Sequence, residues 1–419
     1  MGEGDALARE AAENAARRSY GKLIAFLAAR TRDVAGAEDA LSEAFAAALA
    51  HWPKDGVPEN PEGWLLTVAR RKASDTARKS RRHQDASDHL KLMAEELASV
   101  NDNGIPDERL ALMFACAHPA IDEAIRAPLI LQTVLGFDAA TIASAFLIAP
   151  ASMGQRLVRA KTKIRHAGIP FRIPERADLR ERLDAVLEAI YAAYTEGWSD
   201  PVGTGLRRRN LAAEAIWLGR LAVSLLPDEP EALGLLALML HTEARREARR
   251  DADGAFVPLN EQDTARWNTA IIDEAEALLH RASRINTIGR YQLEAALQSA
   301  HAVRRVKGRA DWDAILALYD ALLAMTGSPV VAINRAIAVA ETQGPEAGLA
   351  ALDGPARDPR LSQYQPFWAA RAELLARTGR AQEADTAYER AIGLETDPAI
   401  RAFLQRKRAA LPGPSSSSS

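Results

Sequence analysis

The chain has 419 residues, more than one ordinary core holds, so roughly two to four domains are expected. Apolar residues make up 48%, charged residues 26% and aromatics only 5%, and the formal net charge is −3. This balance excludes a uniformly basic nucleic-acid binder, so any such partner must be met by local segregation of charge. The single cysteine, Cys116, excludes an intrachain disulfide, and the eight histidines lack the spacing of a zinc cluster. No run reaches the ~18 apolar residues of a membrane span, and residues 1–14 lack a signal-peptide core. A cytoplasmic protein without cofactor or membrane contact is expected.

Strand signals are nearly absent, and apolar residues recur at helical spacing almost everywhere. Clusters of Gly and Pro divide the chain into residues 1–85, an acidic linker over 86–108, residues 109–170, a long remainder over 171–411 and a serine-rich tail over 412–419.

In the first block, Ala37–Leu49 reads as an amphipathic helix with Leu41, Phe45 and Ala48 as its apolar stripe. Asp39 and Glu43 lie four apart on the opposite face. They form either an ordinary solvated face or an acidic docking surface for a basic partner. Trp52–Pro61 is a break. A second helix runs from about Asn60 to Arg82, buried along Leu66, Ala69, Ala73 and Ala77. Between Glu62 and Arg82 stand seven basic residues (Arg70, Arg71, Lys72, Arg78, Lys79, Arg81, Arg82) against two acidic ones, a face able to neutralise phosphates. Trp52 and Trp64 flank the preceding loop. Each is either a core anchor or a ring on which an unpaired base stacks.

In the block from residue 109, Leu129–Leu135 reads as an apolar helix, broken by Gly136-Phe137-Asp138. Thr141–Phe146 is a short helix, Leu147–Ala149 a turn, and Pro150 opens another helix. That last helix has Met153, Leu157, Ala160 and Ile164 on one face and Ser152, Gln155, Arg159, Thr162 and Lys163 on the other. From Pro150 to His166 it carries five basic residues (Arg156, Arg159, Lys161, Lys163, Arg165) and no acid. Two short helices with the second basic and polar outward follow the helix-turn-helix plan, although the usual turn glycine is absent.

The segments AEDALSEAF (37–45) and NPEGWLLTVARRKASD (60–75) resemble region 2 of extracytoplasmic-function sigma factors. RLALMFACAHPAI (109–121) and TIASAFLIAPASMGQRLVRAKTKI (141–164) resemble region 4 of the same family. The wording is similar to the subgroup with a C-terminal tetratricopeptide-like domain. The resemblance implies an all-α protein with a region 2 domain, a region 4 helix-turn-helix domain and a degenerate helical-repeat domain. It implies that Asp39 and Glu43 face core RNA polymerase. Trp64, Arg70, Arg71, Lys72, Arg78 and Lys79 would bind and help melt the −10 element of promoter DNA. Ser152, Gln155, Arg156, Arg159 and Lys163 would bind the −35 element. Ser42 departs from the glutamine common in the family. The subgroup further implies regulation by the C-terminal domain.

From residue 171, helices alternate with short breaks. Trp368, Ala372, Leu375, Ala384, Tyr388 and Ala391 fit the large-small alternation of a tetratricopeptide unit. Weaker units place Ala347, and then Ala314, Leu318 and Ala321, at equivalent positions. Such an array would offer a groove to an unidentified protein or peptide ligand. Glu196-Gly197-Trp198 reads as packing or as a contact to region 4. Asp251–Gly254 lacks the spacing of a calcium loop and reads as a turn. His241, His280 and His301, far apart in helices, read as packing or surface residues. No phosphate loop, nucleophile motif or metal cluster appears, so an enzyme is not expected. Two functional readings stand: a promoter-specificity subunit of RNA polymerase, or a stand-alone helix-turn-helix regulator with a repeat sensor.

Overall fold

The computed structural model describes residues 3–80, 108–146, 149–172, 174–198 and 206–412. The expected linker over 86–108, apart from its last residue Glu108, the turn residues Leu147 and Ile148, Arg81 and Arg82, and the tail from 413 lie outside the described residues. Among the described residues the chain is all-α, with one isolated antiparallel bridge between Arg250 and Phe256. Two compact units are formed, Met1–Glu196 and Gly197–Ser419. The segments read as separate blocks over 1–85 and 109–170 therefore share one unit, and its edge falls at 196 rather than 171.

The first unit is built around α1 (Glu3–Thr31). Leu23, Ile24, Ala25, Phe26, Leu27 and Ala28 are all buried in succession. A helix apolar on every side must be covered all round, and α1 packs against α2 (Val34–Asp55), α3 (Pro61–Ser80) and α4 (Arg109–Cys116). Asp33 caps α2 by accepting from the Gly36 amide. The helix outlasts the expected 37–49 because Pro53 falls in its last turn, where few backbone bonds remain to be lost. Asn60 caps α3, its side-chain oxygen accepting from Gly63 N, with Pro61 preset for the first helical position.

Three further helices follow in the unit, α5 (Glu123–Thr133), α6 (Ala139–Ala145) and α7 (Pro150–Ala167), before the chain enters a helix that ends it. The α5 helix starts six residues before the expected Leu129, because Asp122 supplies an N-cap to Ala124. Its end is anchored by Thr133, whose hydroxyl bonds the Leu129 carbonyl and lies 3.5 Å from the Cys116 thiol. Full burial pushes that thiol up to about 12, so it stays a neutral, inert packing group. Asp138 caps α6 through Ala140 N and Thr141 N, bonds that hold its carboxyl below the usual range. α6 and α7 pack on each other and on α5.

The second unit opens with the last residues of α8 (Arg176–Trp198) and continues through α9 (Leu206–Leu225) and α10 (Pro230–Glu243). In α10 every residue from Ala232 to His241 is buried. It packs against α11 (Thr269–Ser283) and α12 (Arg290–Ala302), and Glu231 caps α12 at Tyr291 N and Gln292 N. A short turn, α13 (Arg304–Lys307), leads to α14 (Trp312–Thr326), α15 (Pro329–Gln343), α16 (Pro345–Leu352), α17 (Gln365–Arg377), α18 (Ala381–Leu394) and α19 (Pro398–Ala409).

The α17–α18 hairpin keeps the expected alternation, with Ala372, Leu375, Ala384, Tyr388 and Ala391 all buried. The weaker units do not keep register. In α16 the buried small residue is Gly348, packed on Ala336 and Ala340, one position past Ala347. In α14 Ala314 and Ala321 are exposed, and Ile315 and Leu322 fill the core instead.

Asp251–Gly254 is a turn, as its spacing implies: Asp251 accepts from Asp253 N and Ala255 N, and Gly254 takes a φ of +80°. It brings Arg250 to Asp397, 2.5 Å away, and Phe256 edge-on to Phe403. The Arg246 and Arg249 guanidiniums lie over the Trp198 ring, 4.8 and 4.5 Å from its centroid, and Arg249 also donates to the Trp198 carbonyl.

Candidate nucleic-acid interface

α2 and α3 form a hairpin on α1. Asp39 and Glu43 are both exposed on α2, as their spacing implies. Glu43 is not isolated, however: its Oε2 lies 3.0 Å from Lys72 Nζ on α3. The acidic helix and the basic helix thus touch at their solvent edge. On α3, Arg71 and Lys72 are exposed and Arg70 is half-buried. The side chains of Arg78 and Lys79 lie outside the described ones. Trp52 is a core residue at 3% exposure, with Trp64 half-buried edge-on to it, ring centroids 5.5 Å apart. Trp64, on the cationic helix itself, is thus the less buried of the two rings.

On α7 the buried stripe is Met153, Leu157, Ala160 and Ile164, in the expected register. The helix starts at Pro150 and ends at Gly168, whose φ of +61° closes it. Gln155, Arg156, Arg159 and Lys163 are exposed and Ser152 is half-buried. Ser152, Arg156, Arg159 and Lys163 follow one another at helical spacing of four, three and four, so they make one strip. Beside them the Val158 side chain is exposed.

The remaining two cations of α7 have a different fate. Lys161 and Arg165, four apart on the other flank, face α2. Lys161 Nζ lies 2.6 and 2.8 Å from the two carboxylate oxygens of Glu38, with both side chains largely buried. Arg165 reaches 3.5 Å from Asp33 Oδ2, the carboxylate that also caps α2. Desolvation still leaves the Glu38 carboxyl above the usual range, although Lys161 pulls it down. Nothing local in the sequence marks these partners, which lie 123 and 132 residues away.

The α1–α5 contact is equally close. A side chain at Gly21 would sit on the Val134 carbonyl, 1.9 Å from its oxygen. Gly136, at a φ of +69°, lies under the Tyr20 ring. Glycine at both positions lets α1 seat directly on the end of α5.

In the second unit, two of the histidines lie about one cation. Burial, and then Arg245, push His241 down to about 4; burial, Arg245 and Arg304 do the same to His301. His280 is exposed. Among the described residues no group of three or more metal-ligating side chains occurs. A cleft of about 510 Å³ on α17 and α18 is lined by Trp368, Arg371, Leu375, Arg380, Gln382 and Glu383, among others.

The model for sigma-70 region 2 matches residues 16–83, which take in the second half of α1 and all of α2 and α3. A family of unknown function, DUF6596, matches residues 182–283. An uncharacterized protein of Rhizobium meliloti (strain 1021) is 39% identical over 378 residues, covering 88% of each chain. No solved structure matches. The chain thus carries a sigma-70 region 2 domain in its N-terminal part. A role in transcription initiation goes with that domain family. The region 2 match ends near the last described residue of α3, and the DUF6596 match begins within α8. No helix among the described residues is long and apolar enough to cross a membrane.

Proposed function

We propose that the protein is an extracytoplasmic-function sigma factor: a non-catalytic subunit that docks on core RNA polymerase and directs it to particular promoters. Asp39 and Glu43 on α2 meet a basic element of the polymerase, where opposite charge sets orientation and on-rate. Arg70, Arg71, Lys72, Arg78 and Lys79 on α3 hold phosphates at the −10 element, and Trp64 stacks on a base freed by melting. Ser152, Gln155, Arg156, Arg159 and Lys163 on α7 contact the −35 element from the major groove. Division of labour follows from the chemistry. Cations supply affinity without sequence information, and Gln155 and Arg156 supply discrimination of about 1–3 kcal/mol per good base contact. The second unit, with its helical hairpins, modulates this activity through a protein or peptide ligand.

The observation that carries this reading is the exposed strip on α7 in the same compact body as a matched region 2. Run-off transcription with core polymerase, this protein and a promoter library tests it. Promoter-dependent transcripts that vanish with Asp39→Lys and Glu43→Lys are the expected result. Tight, specific duplex binding by the protein alone, unaffected by polymerase, would instead identify a stand-alone regulator.

A further inference from the structure

Resting on that reading, we propose that Val158 is a specificity residue of α7: its side chain packs on the C5-methyl group of one thymine in the −35 element, and Gly154, one turn earlier, leaves room for that base edge.

The fold and the partner ask different things of α7. The fold asks for Met153, Leu157, Ala160 and Ile164, which are buried. It asks nothing of Val158, which lies outside that stripe and is 65% exposed. It asks nothing of Gly154 either. A Cβ placed there meets no atom within 4 Å, and the backbone is helical, so no positive φ requires glycine. On an open helix surface both are poorer choices than alanine, glycine for its backbone freedom and valine for its restricted side chain. The two stand four apart and so share a face. A helix that carries both there, against its own propensity, is shaped for something that arrives from outside.

What arrives is set by the neighbours. Arg156, Arg159 and Lys163 are exposed along the same helix and suit phosphates. Gln155, next to Gly154, is exposed as well, and its amide matches the N6 and N7 edge of adenine in the major groove. Thymine is adenine's partner, and its C5-methyl is the apolar group on the major-groove edges. Thr162, one turn beyond Val158, donates its hydroxyl to the Val158 carbonyl at 3.0 Å, so that proton is not offered to a base. Gln155 and Val158 are three apart, neighbours on the helix surface. An adenine held by the amide and a thymine methyl seated on the valine together exclude a C·G pair, which offers neither group.

The test uses the full chain with core polymerase and a promoter taken from the run-off library. Each thymine of the −35 element is replaced in turn by deoxyuridine, which removes the methyl and nothing else. At least one position should lose about fourfold in affinity, the worth of one buried methyl. Val158→Ala should show a similar loss on the unmodified promoter and no further loss with deoxyuridine at that position. Gly154→Ala should lose the same methyl preference while raising the melting temperature by a few degrees, which separates a filled notch from a damaged fold. A −35 element with no sensitive thymine overturns the proposal. So does sensitivity that persists undiminished in Val158→Ala, which would assign the effect to DNA shape. Arg159→Ala and Lys163→Ala separate the two ways of failing. Weakened binding without a sensitive thymine removes the methyl contact alone; unchanged binding removes α7 from the DNA and the −35 reading with it.

Discussion

Glu43 and Lys72 pair across the α2–α3 hairpin at 3.0 Å, joining a residue assigned to polymerase with one assigned to DNA. Both side chains are at least half exposed, so the pair contributes at most about 1 kcal/mol to folding. On the proposed reading the pair is positional: polymerase that claimed Glu43 would free Lys72 for phosphate. Glu43→Ala should leave the melting temperature within a few degrees of wild type while lowering transcription through lost docking. Parallel calorimetry and run-off assays check this. A large fall in melting temperature would make the pair structural.

The two tryptophans separate stability from promoter opening. Trp52→Ala removes a ring at 3% exposure and should cost about 3–5 kcal/mol. Trp64→Ala removes a half-buried ring and should cost about 1–2 kcal/mol. Yet Trp64→Ala should be the one that slows strand opening, read by a fluorescent base placed in the −10 element of a polymerase-bound promoter. Equal opening rates for wild type and Trp64→Ala would assign Trp64 to packing alone.

Along α7, cations and the amide should behave differently. Arg159→Ala and Lys163→Ala remove exposed charges and should weaken promoter binding across all sequences, each lowering the salt slope by about 1. Gln155→Ala should leave the slope unchanged and relax preference at one base pair of the −35 element. Titrations of the polymerase complex at several salt concentrations distinguish the two patterns.

Acid should loosen the second unit before pH 4. His241 has no hydrogen-bond partner for either ring nitrogen, with Glu276 3.5 Å away, and its folded value lies near 4 against an ordinary 6.5. Unfolding therefore takes up a proton between those values. Stability is full above about pH 6.5 and falls as pH drops toward 4, by on the order of 3 kcal/mol for His241. His301 acts in the same direction. His241→Leu should flatten the pH dependence of urea midpoints between 6.5 and 4. An undiminished slope in that variant would place the proton uptake elsewhere.

Helix interiors could be read from the chain because their period is local. The α7 stripe of Met153, Leu157, Ala160 and Ile164, its proline start, and the α17–α18 alternation all follow from spacings of three or four between successive residues along a helix. Helix ends were less legible. Pro53 looks like a terminator yet sits inside α2, and Asp122 starts α5 well before its apolar run. Register in α14 was misread because alanine suits both surface and core, and Ile315 and Leu322 take the buried side. Least legible were the long-range pairs. Five cations on α7 look equivalent in sequence, and only the fold assigns Lys161 and Arg165 to α2. Likewise His241 and His301, sixty positions apart, share the influence of Arg245.

Arg250 reaches 147 positions along the chain to Asp397, which also starts α19 by accepting from Ala399 N and Ile400 N. An open helical stack can gain or shed modules at its end with only a neighbour to satisfy. Here the start of α19 is tied by this pair to a turn much earlier in the second unit. Insertion or loss of a hairpin between them would part this carboxylate from its guanidinium.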